Sequence, residues 1–322
     1  MSFKTLLLAV YLKWLITVRR FLKFLPIAAK TRKRLDNNFK LKQIAERSKL
    51  QRAAVRELFG QHSQGVLFKT ENGYLVNSFD DVQVNRYLGN TGSYNPSEVY
   101  TLLGLLNSSS CLYVIGTHIG ALLVPLAKKV STVIGFEANP ETYRFLQLNM
   151  ALNNLLNAAA YNCAIFDKKD SLSFYQNKAN SGGSKIKPVI EDYRYNYDKP
   201  DVITVSGDTL DALKEQHNLP YPTMIVMDIE GAEYFALKGG QTCLQHTQVL
   251  YMEFVPHHLS NVANVSLQDF CRLFTPHFTA MTLIAEEIKK SGIVYRGDEI
   301  ITRLAQLYNA GISADLLLFK QL

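Results

Sequence analysis

The stretch that decides how this chain folds is residues 111–154, "CLYVIGTHIGALLVPLAKKVSTVIGFEANPETYRFLQLNMALNN". It opens with five apolar residues and then turns at two glycines four apart, Gly116 and Gly120. A short apolar run bounded by a turn reads as a buried strand. "IGALLVPLAKKV" then reads as a helix, "STVIGFE" as a second strand and "NPETYRFLQLNMALNN" as a second helix. Strands alternating with helices predict an α/β fold, a parallel sheet covered by helices on both faces.

The same rhythm continues outward. "AAAYNCAIF", "TMIVMD" and "QVLYMEF" read as further strands, and "GAEYFALKGG" as a helix with a glycine stop. "LQDFCRLF", "TAMTLIA" and "ADLLLFKQ" close the chain. Between them, residues 176–201 are rich in Asn, Ser, Gly, Lys and Tyr and read as a surface loop. Towards the N-terminus, "SEVYTLLGLLN" follows Pro96 as a helix, and Asn72–Gly73 predicts a turn between two short strands. The predicted organisation is an arm over 1–60, a strand-and-turn lead-in over 61–95 and the α/β domain over 96–322.

Charge divides the chain in the same place. The net +7 is the sum of a strongly basic segment, 1–56 at +13, and a remainder at −6. A basic arm suits anionic lipid, nucleic acid or an acidic partner. Leu7, Tyr11, Trp14, Val18, Phe21 and Leu25 recur at spacings of four and three, one stripe of a helix, with Lys13, Arg20 and Lys23 beside it and Pro26 as its stop. A second basic helix is predicted over about 28–59. No uncharged stretch approaches the ~20 residues that span a bilayer, and no cleavage site follows, so neither a signal peptide nor a transmembrane anchor is expected. The arm is expected to attach the protein to something, either an anionic membrane surface or a partner helix, including its own copy in a homodimer. Packing on its own domain is the third reading. Nucleic acid is set aside, because the aromatics lie in the apolar stripe and not in the dense basic run at 30–34. The expected location is cytoplasmic, with peripheral contact at the inner face of a membrane left open. Cys111, Cys163, Cys243 and Cys271 stand far apart and read as buried small hydrophobes, with no zinc site or disulfide framework.

In open α/β sheets, ligands bind beyond the carboxyl ends of the strands. There the first strand offers Gly116, Thr117, His118 and Gly120, which form neither a phosphate loop nor a dinucleotide fingerprint. The second strand ends in Glu137, 17 residues after Gly120, placed to accept hydrogen bonds from a ribose diol. Capping of the next helix near Asn139 is the plainer reading of that acid. Together the turn and the acid favour a nucleoside with a small tail. The next strands end in Asp228, Glu230 and Glu233, and in Glu253 followed by His257 and His258. The helix dipole alone accounts for Glu233 as readily as function does.

These residues resemble the FkbM-type methyltransferases. "VIGTHIG", "GFEANPETYRFLQLNMALNN", "SGGS", "TLDAL", "MDIEGAE", "LKGG" and "YMEF" stand in that family's order and spacing over about 85–260, with a looser match to the end. The resemblance implies a Rossmann-like class I methyltransferase sheet, mostly parallel with its last strand antiparallel. It also implies methyl transfer from S-adenosylmethionine, commonly to a hydroxyl of a sugar, glycan or secondary metabolite. Gly116, Thr117, His118 and Gly120 would pass beneath the amino-acid portion of the cofactor, Glu137 would hold its ribose and Asn139 would lie near the adenine. Asp228, Glu230 and Glu233 would face the methyl group and the acceptor. Val114 and His118 stand where the family has Asp and Asn. The expected chemistry assigns orientation to Asp228 and the base to His257 or His258, whose ordinary pKa near ~6.5 suits an alcohol better than the ~3.9 of Asp. A divalent cation on Glu230, Glu233 and Glu253 is conceivable but not expected. The competing readings are a non-catalytic scaffold on a degenerate methyltransferase fold and a nicotinamide-dependent oxidoreductase.

Overall fold

The computed structural model describes residues 3–21, 24 and 27–321, so Lys23, Leu25 and Pro26 of the expected stripe and helix stop lie outside the described residues. The chain begins with two helices, α1 (Phe3–Phe21) and α2 (Ala29–Phe59). They run antiparallel: Thr5 donates to Glu57, Gln43 donates to the Leu15 carbonyl, and Arg19 grips Asp36 through two bonds of 2.7 and 2.9 Å. The buried face of α1 carries Thr5, Leu12 and Leu15. The sequence stripe is a different face, since Leu7, Trp14 and Phe21 are exposed and Tyr11 and Val18 half-buried. Most of this helix is apolar around its circumference, so spacing alone does not select the face that packs. The later part of α2 rests on the body of the protein, where Ser48 is fully buried and Arg52 and Gln51 donate to the carbonyls of Lys178 and Phe79.

A hairpin follows, β1 (Gly65–Thr70) and β2 (Gly73–Ser78); its turn is Glu71–Asn72, one residue before the predicted Asn72–Gly73, because Gly73 already pairs with Thr70. Next come α3 (Val82–Thr91), capped by the Asp81 side chain, and α4 (Pro96–Gly104) with its proline in the first turn. The alternating region begins with β3 (Cys111–Ile115), α5 (Leu123–Ala127), β4 (Thr132–Phe136), α6 (Pro140–Leu152) and β5 (Ala158–Tyr161). On α6 and at its C-cap, the amides of Asn149 and Asn153 each accept from and donate to one residue of β2, Val76 and Tyr74 respectively.

After β5 the chain leaves the main sheet. β6 (Ala164–Ile165), β7 (Asp170–Gln176), β8 (Lys185–Ile186), α7 (Tyr193–Asn196) and β9 (Asp201–Asp208) build a second sheet in the order β6-β9-β7-β8. The expected loop, 176–201, is the mostly irregular connection from β7 to β9 within this subsheet, holding β8 and the short α7. The strands of the subsheet carry Ser, Asp and Thr on an exposed face and lack the apolar run that marked the others.

The main sheet resumes with α8 (Leu210–Gln216), β10 (Met224–Met227), α9 (Glu233–Lys238), α10 (Gln241–His246) and β11 (Val249–Phe254). It finishes with α11 (Pro256–His258), α12 (Leu267–Arg272), β12 (Ala280–Leu283), α13 (Ile284–Ile288), β13 (Tyr295–Arg296), α14 (Asp298–Ala310) and β14 (Ala314–Phe319). The order is β13-β12-β14-β11-β10-β3-β4-β5. β5, β4, β3, β10 and β11 are parallel, and β14 is antiparallel to both its neighbours. This is the mostly parallel sheet with an antiparallel last strand that the sequence led one to expect. β3 is buried throughout because Cys111, Tyr113 and Ile115 pack on one face while Leu112 and Val114 pack on the other. That is the physical reason for an apolar run without alternation. All four cysteines are buried and free. From β3 the strand order runs one way to β4 and the other way to β10, which leaves a crevice between their carboxyl ends.

Candidate active site

The glycine turn after β3 forms one wall of that crevice. Gly116 has φ +82°, and a Cβ there would lie 1.9 Å from the Asp228 carbonyl oxygen at the tip of β10. Gly120 has φ +89° and faces Leu146 of α6 at 3.0 Å. The two glycines answer to the neighbouring strand and helix. Three side chains then fix the turn: Thr117 donates to the Phe136 carbonyl at 2.9 Å, Asn149 donates to the Ile119 carbonyl at 2.7 Å, and Glu137 accepts from the His118 N–H at 2.7 Å.

Glu137 ends β4 as expected, and its second oxygen accepts from the Asn139 N–H at 2.8 Å. Burial pushes its carboxyl up to about 7 against the pull of those two N–H groups. A carboxylate has about four acceptor sites, so two remain for a ligand. Asn139 takes the capping role instead: its side-chain oxygen accepts from the Glu141 N–H and from Gln176, and it lines a separate cavity with Arg52 and Asp81. Beside Glu137 lies a narrow cavity of about 60 Å³ bounded by Gly116, Ala138, Cys163 and Phe174, with Ser181, Gly182, Ser184 and Ile186 also on its wall. Gly116, His118, Gly182, Asp228 and Glu230 are shared with a larger cavity of about 260 Å³, which adds Tyr94, Glu98, Tyr251, Glu253 and Asp315.

The Ser181 segment is latched down. Its hydroxyl lies 2.6 Å from His118 Nε2 and donates to Asp81, the capping acid of α3. Burial lowers the pKa of His118 against the opposing pull of Asp81 and Glu230. "SGGS" had drawn notice in the sequence, but its partners lie 63 and 100 residues away and could not be read from it.

The carboxylates divide by role. Asp228 is exposed, but to the two cavities; the surrounding protein and the charges of Glu230 and Glu233 raise its pKa well above the usual range. Glu233 turns back to accept from the N–H groups of Ile229 and Gly231, so it braces the turn. Glu230, at φ +55°, pairs with the buried Lys185 at 2.7 Å. Lys185 also lies 3.5 Å from His258 Nε2. Glu253 is pushed up to about 10 by burial and by Asp228, and its Oε2 faces His258 Nδ1 at 4.0 Å. Glu230, Glu253 and His258 bring ligand atoms within 4.8 Å of one another, as do Asp228, Glu233 and Glu253, which is metal-holding geometry. In the first of these groups the Lys185 ammonium already supplies a positive charge.

The environment of the histidines works against the expected base. His257 Nδ1 is 2.9 Å from the Tyr195 hydroxyl, and burial lowers its pKa to about 4. His258 is lowered further, first by burial and then by Lys185. Their proximity in sequence was legible, whereas the direction of each ring was not.

Strand order, the glycine turn and the strand-end acid define a Rossmann-like α/β protein of the class I methyltransferase type. The chain belongs to the FkbM methyltransferase domain family, which it matches over residues 115–282, more than half its length. No curated protein sequence matches it. Among solved structures it is similar to the methyltransferase FkbM of Methylobacillus flagellatus KT, at 15% identity and a TM-score of 0.41, covering 90% of this chain and 60% of that one. It is also similar to P. horikoshii TYW2 in complex with MeSAdo, at 11% identity, TM-score 0.39 and coverage of 85% and 83%. M. jannaschii TYW2 in complex with AdoMet matches at 11%, 0.39, 81% and 87%.

Proposed function

We propose that this protein is an S-adenosylmethionine-dependent O-methyltransferase acting on a hydroxyl of a sugar, glycan or secondary metabolite. The observation that carries the reading is Glu137, fixed by the backbone of the glycine turn and opening on the crevice beside Asp228. The donor set suits the cofactor: a buried acceptor for a ribose diol, apolar walls at Ala138 and Phe174 for a purine, and carboxylates where a sulfonium would lie.

S-adenosylmethionine, held at Glu137 and the glycine turn, would supply an electrophilic sulfonium methyl. The chain's own residues place the acceptor and take its proton. Asp228, with its raised pKa, is a better match to an alcohol proton than an ordinary aspartate. Glu253, protonated at neutral pH, can donate a hydrogen bond to the acceptor from the wall of the larger cavity. The latched Ser181 segment keeps water out while the reacting atoms are aligned, which supplies much of the rate in a displacement of this kind.

Calorimetry with S-adenosylhomocysteine and NAD tests the reading. Binding of the first and not the second is expected, and NAD binding overturns it. A protein that binds S-adenosylhomocysteine yet yields no methylated product from a panel of hydroxyl acceptors favours the scaffold reading that Val114 and His118 motivate.

A further inference from the structure

α1 has two apolar faces, and α2 covers one of them. On the other, Leu7, Val10, Trp14 and Phe21 are 53%, 57%, 55% and 64% exposed. They lie three, four and seven residues apart, so they form one line along the helix. Lys13 and Arg20, both exposed, run beside that line seven residues apart. α1 contains no acid, and residues 1–56 carry a net +13. Where α1 ends and α2 begins, an open groove of about 710 Å³ is lined by Arg19, Arg20, Arg32 and Lys33, with Asp36 its one acid.

Among the described residues, no helix is long and apolar enough to cross a membrane. A helix with a continuous apolar line and a basic flank is suited to lie in the plane of a bilayer interface. There the apolar side chains enter the acyl boundary and Lys and Arg reach the phosphates. Charge decides between this occupant and a second copy of the chain. Pairing two such helices through the apolar line would bring two arms of +13 together with Lys13 and Arg20 at the seam, and like charges in that position repel. An anionic surface neutralises the same charges.

We propose that the outer face of α1, with the basic groove at its end, docks this protein on an anionic phospholipid surface. Trp14 is the only tryptophan, so its fluorescence reports directly on that face. The full-length protein is mixed with phosphatidylcholine vesicles, with and without phosphatidylglycerol. Flotation and a blue shift of Trp14 emission are expected with the anionic vesicles only, and both should weaken as salt screens the charges. Lys13→Glu with Arg20→Glu should lower the partition by roughly tenfold or more. Val10→Glu with Phe21→Glu should do the same and, because both side chains are exposed, should leave helix content and the α1–α2 contacts intact. Equal binding to neutral vesicles, no shift, or unchanged partition of the Val10/Phe21 variant overturns the proposal. A solution mass that doubles with concentration and reverts in that variant also overturns it, and assigns the face to a second copy.

Discussion

Glu137 commits two acceptor sites to backbone N–H groups before any ligand arrives, so its removal both frees the glycine turn and deletes the proposed ribose acceptor. Glu137→Ala is expected to weaken S-adenosylhomocysteine binding by about 1–3 kcal/mol, measured by calorimetry on folded protein; unchanged affinity would remove the ribose assignment. Asp228 faces the cavities, and Asp228→Asn should keep the melting temperature while lowering turnover by at least ~10²-fold. Its raised pKa gives a further signature: wild-type turnover should climb as pH rises and the carboxyl ionises, a limb absent from the variant. Stability should move the other way. Glu137 and Glu233 both have folded values raised to about 7, so the native state holds protons that the unfolded chain has lost. That contribution is complete below about 4.5 and is lost as pH rises through about 7. A melting temperature that instead rises from pH 5 to 8 through these two groups would contradict it, and Glu233→Gln should flatten the slope. At this scale the sequence exposed the strand-end acids because strand ends are readable. Lys185 was invisible, since Glu230 and His258 stand 45 and 73 residues from it.

The elements make the two glycines unequal. Gly116→Ala sets a Cβ against the Asp228 carbonyl, a clash that cannot relax without separating β3 from β10. It is expected to prevent folding or lower the melting temperature severely. Gly120→Ala meets only side-chain methyls, of Leu146 and Val124, and should cost about 1–2 kcal/mol for its left-handed backbone. Equal losses in denaturant titration would refute the distinction. The latched Ser181 segment is a third element with its own test. Ser181→Ala cuts the link between His118 and Asp81, and should speed hydrogen exchange over 177–187 while leaving β3 and β4 protected. Among the elements, β3, β4 and β10 were legible because both faces are buried and the apolar run is unbroken, and β11 because only Glu253 interrupts its run. β7 and β9 were not, because half-exposed strands carry little apolar signal; α14 was missed although Ile300, Leu304 and Leu307 recur at helical spacing.

Over the whole molecule, the basic arm and the acidic body meet where α2 packs against the segment that follows β7, so Arg52 reaches Lys178 across 126 residues. The split in charge was plain in the sequence. That one face of α1 would be spent on α2 was not, because helical spacing gives a stripe without naming its partner. The interior also protects its thiols: burial pushes Cys111 and Cys163 up to about 11 and Cys271 to about 12. All four cysteines are expected to ignore a thiol reagent in the native state and to react on unfolding. Cys163, on the wall of the Glu137 cavity, should be the first to do so, and S-adenosylhomocysteine should delay it.

Asn149 and Asn153 leave one more consequence. Four residues on a helix advance about 6.0 Å, and two residues on a strand about 6.6 Å. The two amides therefore fall in step with Val76 and Tyr74 and mimic the next rung of a ladder. Without them β2 would present an open row of donors and acceptors, the template on which strands of other molecules add and aggregates grow. Two side chains on a neighbouring helix close that row, so a strand at the margin of a two-stranded sheet is kept from recruiting its own kind.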